Sequence, residues 1–290
     1  MVNPLLNYLK TDRNNFEDVG YYRFNIANET PALSANVRYF NEFEWADEYL
    51  TYCHRSEAFA ERWKAALGDW TGKVIVDIGC GPGNIFATIK GAPALLIGVD
   101  VAPESLKLAK KQNYTPVLAD ANDLPFQSGF ADIVTLNAAL HHCEDMEAVL
   151  KEAARLVKPG GLLVTDHDPQ KSAWDYKGLA KLMWNLRLYY YRFTNYGFHK
   201  TKNQQYWALA CEIHHKPGHG VTEKLFNDVL YLLGFKVNIY PHNHTEGAAV
   251  LKGKTGPLDL KYKLGALLSG CNPSANKSCL SLMCIAQRQV

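Results

Sequence analysis

Val74-Ile75-Val76-Asp77-Ile78-Gly79-Cys80-Gly81-Pro82-Gly83 is the stretch on which the fold turns. Three consecutive β-branched residues make a short, wholly apolar run that suits a strand buried on both faces. An acid follows, and then glycine at every second position. A turn so bare of side chains lets a ligand lie against the backbone where the strand passes into the next helix, close to that helix's N-terminus. The acid before the glycines suits a cationic or polar ligand better than a pyrophosphate, and Pro82 stands inside the turn. Seventeen residues beyond Gly83, Gly98-Val99-Asp100 closes the next apolar run. That spacing matches a strand–helix–strand unit whose second strand ends in a carboxylate able to bind a ribose diol.

Outward from this unit the rhythm repeats. Residues 95–99, 133–136 and 162–165 are further short apolar runs, and amphipathic patterns over 104–111 and 146–156 separate them. Strands apolar on both faces alternating with such helices predict a doubly wound α/β fold, a mostly parallel sheet between two helical layers. Ahead of it, residues 1–70 read as a helical N-terminal extension, with an amphipathic helix over 46–70 (Tyr49, Leu50, Cys53, Phe59, Trp63, Leu67). After the run at 162–165, residues 169–220 interrupt the rhythm with Trp174, Tyr176, Trp184, Tyr189, Tyr190, Tyr191, Phe193, Tyr196 and Phe198, then a loop rich in Gly, Pro and His. The pattern then resumes: Thr222 caps a helix through Leu233, Gly234 ends it, and 235–240 is a strand. A loop over 252–277 leads to a final apolar strand at 280–286. The expected organisation is therefore an extension or lid over 1–70 and a core over 71–290, with 169–220 as a cap-like insertion over the active site.

The whole chain sets limits on partners. It has 290 residues, 47% apolar and 21% charged, and a formal net charge of +2, which is ordinary for a globular protein and gives nucleic acid no electrostatic claim. No run approaches a membrane span and the N-terminus has no secretory pattern, so no membrane partner is expected and a cytoplasmic location is. Cys53, Cys80, Cys143, Cys211, Cys271, Cys279 and Cys284 form an odd, scattered set with no CxxC pair, which reads as free thiols in a reducing compartment.

With Asp120-Ala121, Leu124-Pro125-Phe126 and Lys158-Pro159-Gly160-Gly161 added to these motifs, the chain resembles the class I, Rossmann-like S-adenosylmethionine-dependent methyltransferases, especially their small-molecule branch. The resemblance is specific over about residues 72–166 and weaker over 222–286. It implies a seven-stranded sheet whose last strand is antiparallel. It also implies cofactor contacts residue by residue: Asp77, Gly79, Cys80, Gly81 and Gly83 around the methionine part, Asp100 and Val101 at the ribose, Asp120 and Ala121 by the adenine, and Asn137 after the fourth strand. The cofactor would be S-adenosyl-L-methionine and its product S-adenosyl-L-homocysteine. The chain departs from the DNA- and protein-amide-methylating enzymes, which carry Asn/Asp-Pro-Pro-Tyr where Asn137-Ala138-Ala139-Leu140 stands here. It also lacks the acid set that holds magnesium in catechol-methylating enzymes, although Asp166 and Asp168 faintly resemble it, and the paired thiolates of arsenite methylation.

Histidines supply the candidate catalytic groups. An unperturbed imidazole titrates near neutrality, so His142 or His141, just after the fourth strand, is the expected general base if one is used, followed by His167 and then His219. As neighbours in the chain, one of the pair is expected to face the pocket and the other to pack or be hydrogen-bonded. No HExxH or Cys/His spacing is present, and no metal is expected. Basic and aromatic residues interleave between Lys171 and Lys202, seven basic to one acidic. This is read as a cap on a small acceptor, with Trp184, Leu188 and Tyr191 as the buried face of a helix, and RNA stacking as the rival. Tyr21, Tyr22 and Phe24 are read either as a lid or as core packing. The function expected is methyl transfer to an O, N or C atom of a small, hydrophobic or aromatic metabolite. The alternatives are an RNA or protein methyltransferase using the insertion, or a pseudoenzyme that keeps the cofactor pocket. A nicotinamide dehydrogenase would need neither Asp77 nor the Asp120-Ala121 pair.

Overall fold

A computed structural model describes residues 4–12, 15–41, 56–195 and 200–290. The part of the predicted 46–70 helix with Tyr49, Leu50 and Cys53 lies outside them, as do Tyr196 and Phe198. The strands are β1 (Glu17–Asp18), β2 (Tyr22–Arg23), β3 (Val74–Ile78), β4 (Leu95–Asp100), β5 (Thr115–Leu118), β6 (Ala131–Asn137), β7 (Val157–Asp166), β8 (Phe235–His242) and β9 (Ser281–Arg288). The helices described are α1 (Pro31–Phe40), α2 (Glu57–Leu67), α3 (Asn84–Ile89), α4 (Pro103–Lys111), α5 (Met146–Leu156), α6 (Gly178–Thr194), α7 (Lys202–Cys211), α8 (Glu223–Leu230) and α9 (Leu260–Leu268).

One sheet runs β1-β2-β5-β4-β3-β6-β7-β9-β8. Pairings from β2 through β7 are parallel, while β9 is antiparallel to both β7 and β8 and β1 is antiparallel to β2. The expected seven strands are thus nine among the described residues, because the N-terminal extension adds two short strands at the β5 edge. It is therefore not purely helical.

Alternation along the central strands builds two cores. Val76 and Ile78 of β3 join Val134 and Leu136 of β6 under α5 and α8, through Val149, Leu150, Phe226 and Leu230. Ile75, Leu96 and Ile133 face the other way onto Phe59 and Trp63 of α2 and onto Ile85 and Leu106. These side chains are almost wholly excluded from solvent, which is what a sheet covered on both faces requires. The helices begin where the sequence has caps. Thr30, Ser56, Asp145 and Thr222 each accept an N–H from the first turn, and Thr201 with Gln204 makes a reciprocal capping box.

Strand order reverses beside β3, with β4 on one flank and β6 on the other. A crevice opens at the carboxyl ends of the strands at such a switch point, because the crossover helices leave in opposite directions. The site lies there.

Candidate functional site

A cavity of about 360 Å³ opens above the carboxyl ends of β3, β4 and β6. Its floor is Gly79, Gly81, Asn84, Asp100, Val101, Asp120, Ala121 and Asn137, which includes most of the residues expected at a cofactor. Gly79, at φ +67°, must be glycine on two counts. A Cβ there would be strained in the left-handed region and would lie 2.7 Å from the Ala139 Cβ. The Asp100 carboxylate shapes the turn itself, Oδ2 accepting from the Gly81 N–H at 2.8 Å and Oδ1 from the Ala102 N–H at 2.9 Å. Burial raises its pKa against these stabilising bonds. Asp120 Oδ1 accepts from the Asn122 N–H at 2.9 Å.

Asp77 sits behind the turn and away from the cavity lining. Its Oδ1 accepts from Thr135 Oγ1 and its Oδ2 from the Tyr114 hydroxyl, both at 2.8 Å. Burial pushes its carboxyl up to about 7, although both hydroxyl donors oppose the shift. Cys80 and Gly83 are likewise absent from the cavity lining. Burial, followed by the charges of Asp100 and Asp77, holds the Cys80 thiol well above its usual range.

The wall opposite the glycine turn comes from outside the motif. Thr30, Leu33, Asn36, Tyr39 and Phe40 of α1 and its cap roof the cavity, and α7 packs on α1 from above. Tyr21 and Phe24 are instead buried in the cores. The aromatic residues of the insertion do not line the cavity either. Trp184, Leu188 and Tyr191 do form the inner side of α6, where Trp184 packs on Trp174 and Tyr176. The insertion contributes Glu212 to the cavity wall.

His141 and His142 both line the cavity, with ring centroids 4.0 Å apart. The expectation that only one would face the pocket fails because they sit in a 3-10 turn (Leu140–His142) that follows Ala138 at φ +51°. Successive side chains in a 3-10 turn do not alternate as they do along a strand. Each ring is held by its Nδ1. His141 Nδ1 lies 2.8 Å from Asp168 Oδ1, and His142 Nδ1 lies 3.0 Å from the Cys211 carbonyl, which can only accept. His142 Nδ1 therefore carries a proton and its Nε2 a lone pair.

Their charges differ for physical reasons. Burial disfavours the cation on His141, but the Asp168 hydrogen bond and the charge of Glu212 outweigh it and raise the pKa. Burial and then the neighbouring charge of His141 take His142 down to about 3. Burial works against the carboxylate of Glu212, yet His215, 2.7 Å away through Nδ1, and the two cavity histidines hold its pKa well below the usual range. His141, His142 and Glu212 bring their donor atoms within 4.8 Å of one another. Two imidazoles and a carboxylate are also a set that a divalent transition ion accepts.

His167 is elsewhere. At φ +65° it stacks on His244 at 4.3 Å, beside a buried cluster in which Asp166 meets Arg62 at 2.9 Å and His242 at 2.7 Å. His219 is near His214 and outside the cavity wall.

Two polar groups escaped the sequence reading. Asn84 Oδ1 and Asn36 Oδ1 are buried at the cavity without a hydrogen-bond partner among the described residues. An unpaired buried acceptor is costly, so such groups mark where a ligand donates. Asn84 had a signal, as the first residue of the helix after the glycine turn. Asn36 had none.

Residues 76–165 match a family model described as a methyltransferase domain. That stretch of the chain is similar to methyltransferase domains. The chain is 35% identical over 108 residues to a demethylmenaquinone methyltransferase of Lactococcus lactis, covering 34% of this chain and 43% of that protein. It is 30% identical over 139 residues to a ubiquinone biosynthesis O-methyltransferase of Thiobacillus denitrificans, covering 44% and 60%. The chain thus spans about half the length of these curated relatives. Among solved structures, a geranyl diphosphate C-methyltransferase of Streptomyces coelicolor superposes with a TM-score of 0.57 at 15% identity, over 91% of this chain and all of that one. Likeness at that identity concerns the fold.

Proposed function

We propose that the chain transfers the methyl group of S-adenosylmethionine to an O, N or C atom of a small, apolar metabolite. The observation that carries this is the two-sided cavity. A glycine turn with Asp100 and Asp120 lies on one side, and the His141–His142–Glu212 wall under the aromatic roof of α1 lies on the other. The donor set fits the cofactor: Asp100 offers lone pairs to a ribose diol, and the orphaned Asn84 Oδ1 offers an acceptor beside the turn. Gly79, Gly81, Asp100, Val101, Asp120, Ala121 and Asn137 would hold it in contact. Asp77, Cys80 and Gly83 would shape the turn from behind.

When bound, that cofactor supplies a methyl already activated by a neutral thioether leaving group. The chain's own work is placement and exclusion of water. Tyr39, Phe40 and Leu33 offer an apolar roof to the acceptor. His141, braced by Asp168, is set to hold or take the acceptor's proton, while His142 stays neutral and presents Nε2. The relatives named for quinone biosynthesis make a hydroquinone-type ring the first acceptor class to try.

Titration calorimetry with S-adenosylhomocysteine should give micromolar binding, and NAD none. Transfer of labelled methyl to apolar phenols and hydroquinones should follow. Absence of S-adenosylhomocysteine binding would overturn the proposal, whereas binding without turnover on any acceptor would favour the pseudoenzyme.

A further inference from the structure

We propose that the outward face of α6 and α9 docks the protein onto an anionic lipid bilayer, lying in its interface without crossing it. On α6, Leu179, Leu182, Met183, Leu186, Tyr190 and Phe193 recur every three or four residues, and all are exposed, Phe193 by 90%. That is the spacing of one helix face. It normally marks the side a helix buries, yet here the other side is the covered one, with Ala180 buried and Trp184, Leu188 and Tyr191 half-buried. Trp184 turns inward onto Trp174 and Tyr176, and Tyr262 of α9 packs on Trp174 as well. The neighbouring α9 repeats the arrangement, with Leu260, Leu264 and Leu267 exposed.

Charge selects the occupant. The two helices carry Lys181, Arg187, Arg192, Lys261 and Lys263 and no acidic residue. Arg187 is drawn in over the Trp184 ring at 3.5 Å and Arg192 lies over the Tyr189 ring at 4.8 Å, while Lys261 and Lys263 of α9 stand beside its exposed leucines. An exposed apolar face flanked by lysines and free of acidic residues, with tyrosines beside it, is the pattern of a helix pair lying at the headgroup boundary of an anionic membrane. A second copy of the chain would set these rows of like charge against each other across a two-fold axis. RNA would find stacking surfaces only on the aromatic residues, not on the leucines that make up most of the face. No described helix is long and apolar enough to cross a membrane. The sequence expectation of no membrane partner concerned spans, and an interfacial face is a different feature.

The inner side of α6 connects to the cavity wall. Trp174 and Trp184 flank His215 at 4.4 and 6.0 Å, and His215 holds Glu212 of the cavity wall. Docking would bring that wall close to acceptors dissolved in the bilayer, a consequence that rests on the proposed methyl transfer. The docking itself does not.

The test is co-sedimentation of the full chain with vesicles of phosphatidylcholine and phosphatidylglycerol at 7:3. The wild type should pellet with these vesicles and more weakly with pure phosphatidylcholine. The triple variant L182S/L186S/F193S alters only exposed side chains, so its thermal midpoint should be unchanged while vesicle affinity falls roughly tenfold or more. Lys261→Gln and Lys263→Gln should each lower affinity about fivefold at low salt. A wild type that stays in the supernatant, or a triple variant that binds equally well, overturns the proposal. So does light scattering that shows a dimer which the triple variant dissociates, or RNA binding that displaces the vesicles.

Discussion

Replacing Asp100 by Asn separates the two tasks of that carboxylate. It accepts from the Gly81 and Ala102 N–H groups and lines the cavity floor, so it shapes the turn and faces the ligand at once. Alanine would remove both tasks and lower stability and affinity together. Asparagine is nearly isosteric and keeps one oxygen, which can still serve one of the two backbone donors. The other position then presents an NH2 group where an acceptor is needed, and the negative charge is lost. A hydrogen bond to a charged group contributes about 1.5–3 kcal/mol. Cofactor dissociation constants should therefore rise between roughly tenfold and a hundredfold. The assay is calorimetric titration of Asp100→Asn with S-adenosylhomocysteine, with thermal unfolding of the same sample run empty. An unchanged dissociation constant would refute the assignment of Asp100 to the ligand. A loss of affinity matched by collapse of the empty protein would show that it only maintains the turn.

Asp77 is a buried carboxyl whose folded pKa lies near 7, above its unfolded value. Its contribution to stability is thus full at pH below about 4 and lost as pH rises through 7, so Asp77→Asn should gain stability relative to wild type between pH 5 and 8 in thermal melts. A constant difference across that window would remove the carboxyl from the account. Breaking the buried Arg62–Asp166 pair with Arg62→Met leaves the carboxylate without its guanidinium, and a loss of about 3–5 kcal/mol is expected in denaturant unfolding; a loss below 1 kcal/mol would mean that His242 and the His167 N–H suffice for Asp166. His141→Gln should cost roughly a hundredfold in single-turnover rate and flatten the ascending pH limb while S-adenosylhomocysteine binding survives. His167→Gln, outside the cavity, should leave the rate alone; equal losses for both would leave placement as the mechanism.

The centre of the fold was legible because burial on both faces leaves an unambiguous trace. The runs at 74–76, 95–99, 133–136 and 162–165 are apolar at nearly every position, and each became a central strand. What failed depends on partners distant in sequence. β1 and β2 are two residues each, Glu17–Asp18 and Tyr22–Arg23, and exist by pairing with each other and, for β2, with β5. No periodicity can announce so short an element. α9 was read as loop because Gly265 interrupts a nine-residue run set between glycine- and proline-rich segments. Its outward leucines are exposed, so the pattern did not describe a core.

The site divides along the same line. The cofactor half is local, since the glycine turn and the acids ending successive strands are fixed by strand geometry, and Gly79, Asp100 and Asp120 all arrive on one floor. The acceptor half is assembled from three remote pieces joined largely through backbone atoms. Asn36 of α1 donates to the His142 carbonyl, His142 Nδ1 donates to the Cys211 carbonyl at the end of α7, and the His214 N–H donates to the His141 carbonyl. Backbone carbonyls accept whatever the side chains nearby may be. The junction can therefore hold the two imidazoles in place while Leu33, Tyr39, Phe40 and Glu212 around them vary. Acceptor choice would then reside in the roof and the insertion, the two regions where the resemblance is slight. That is also why the glycine motif supports the proposed methyl donor and leaves the acceptor to be found by the cavity's shape and charge.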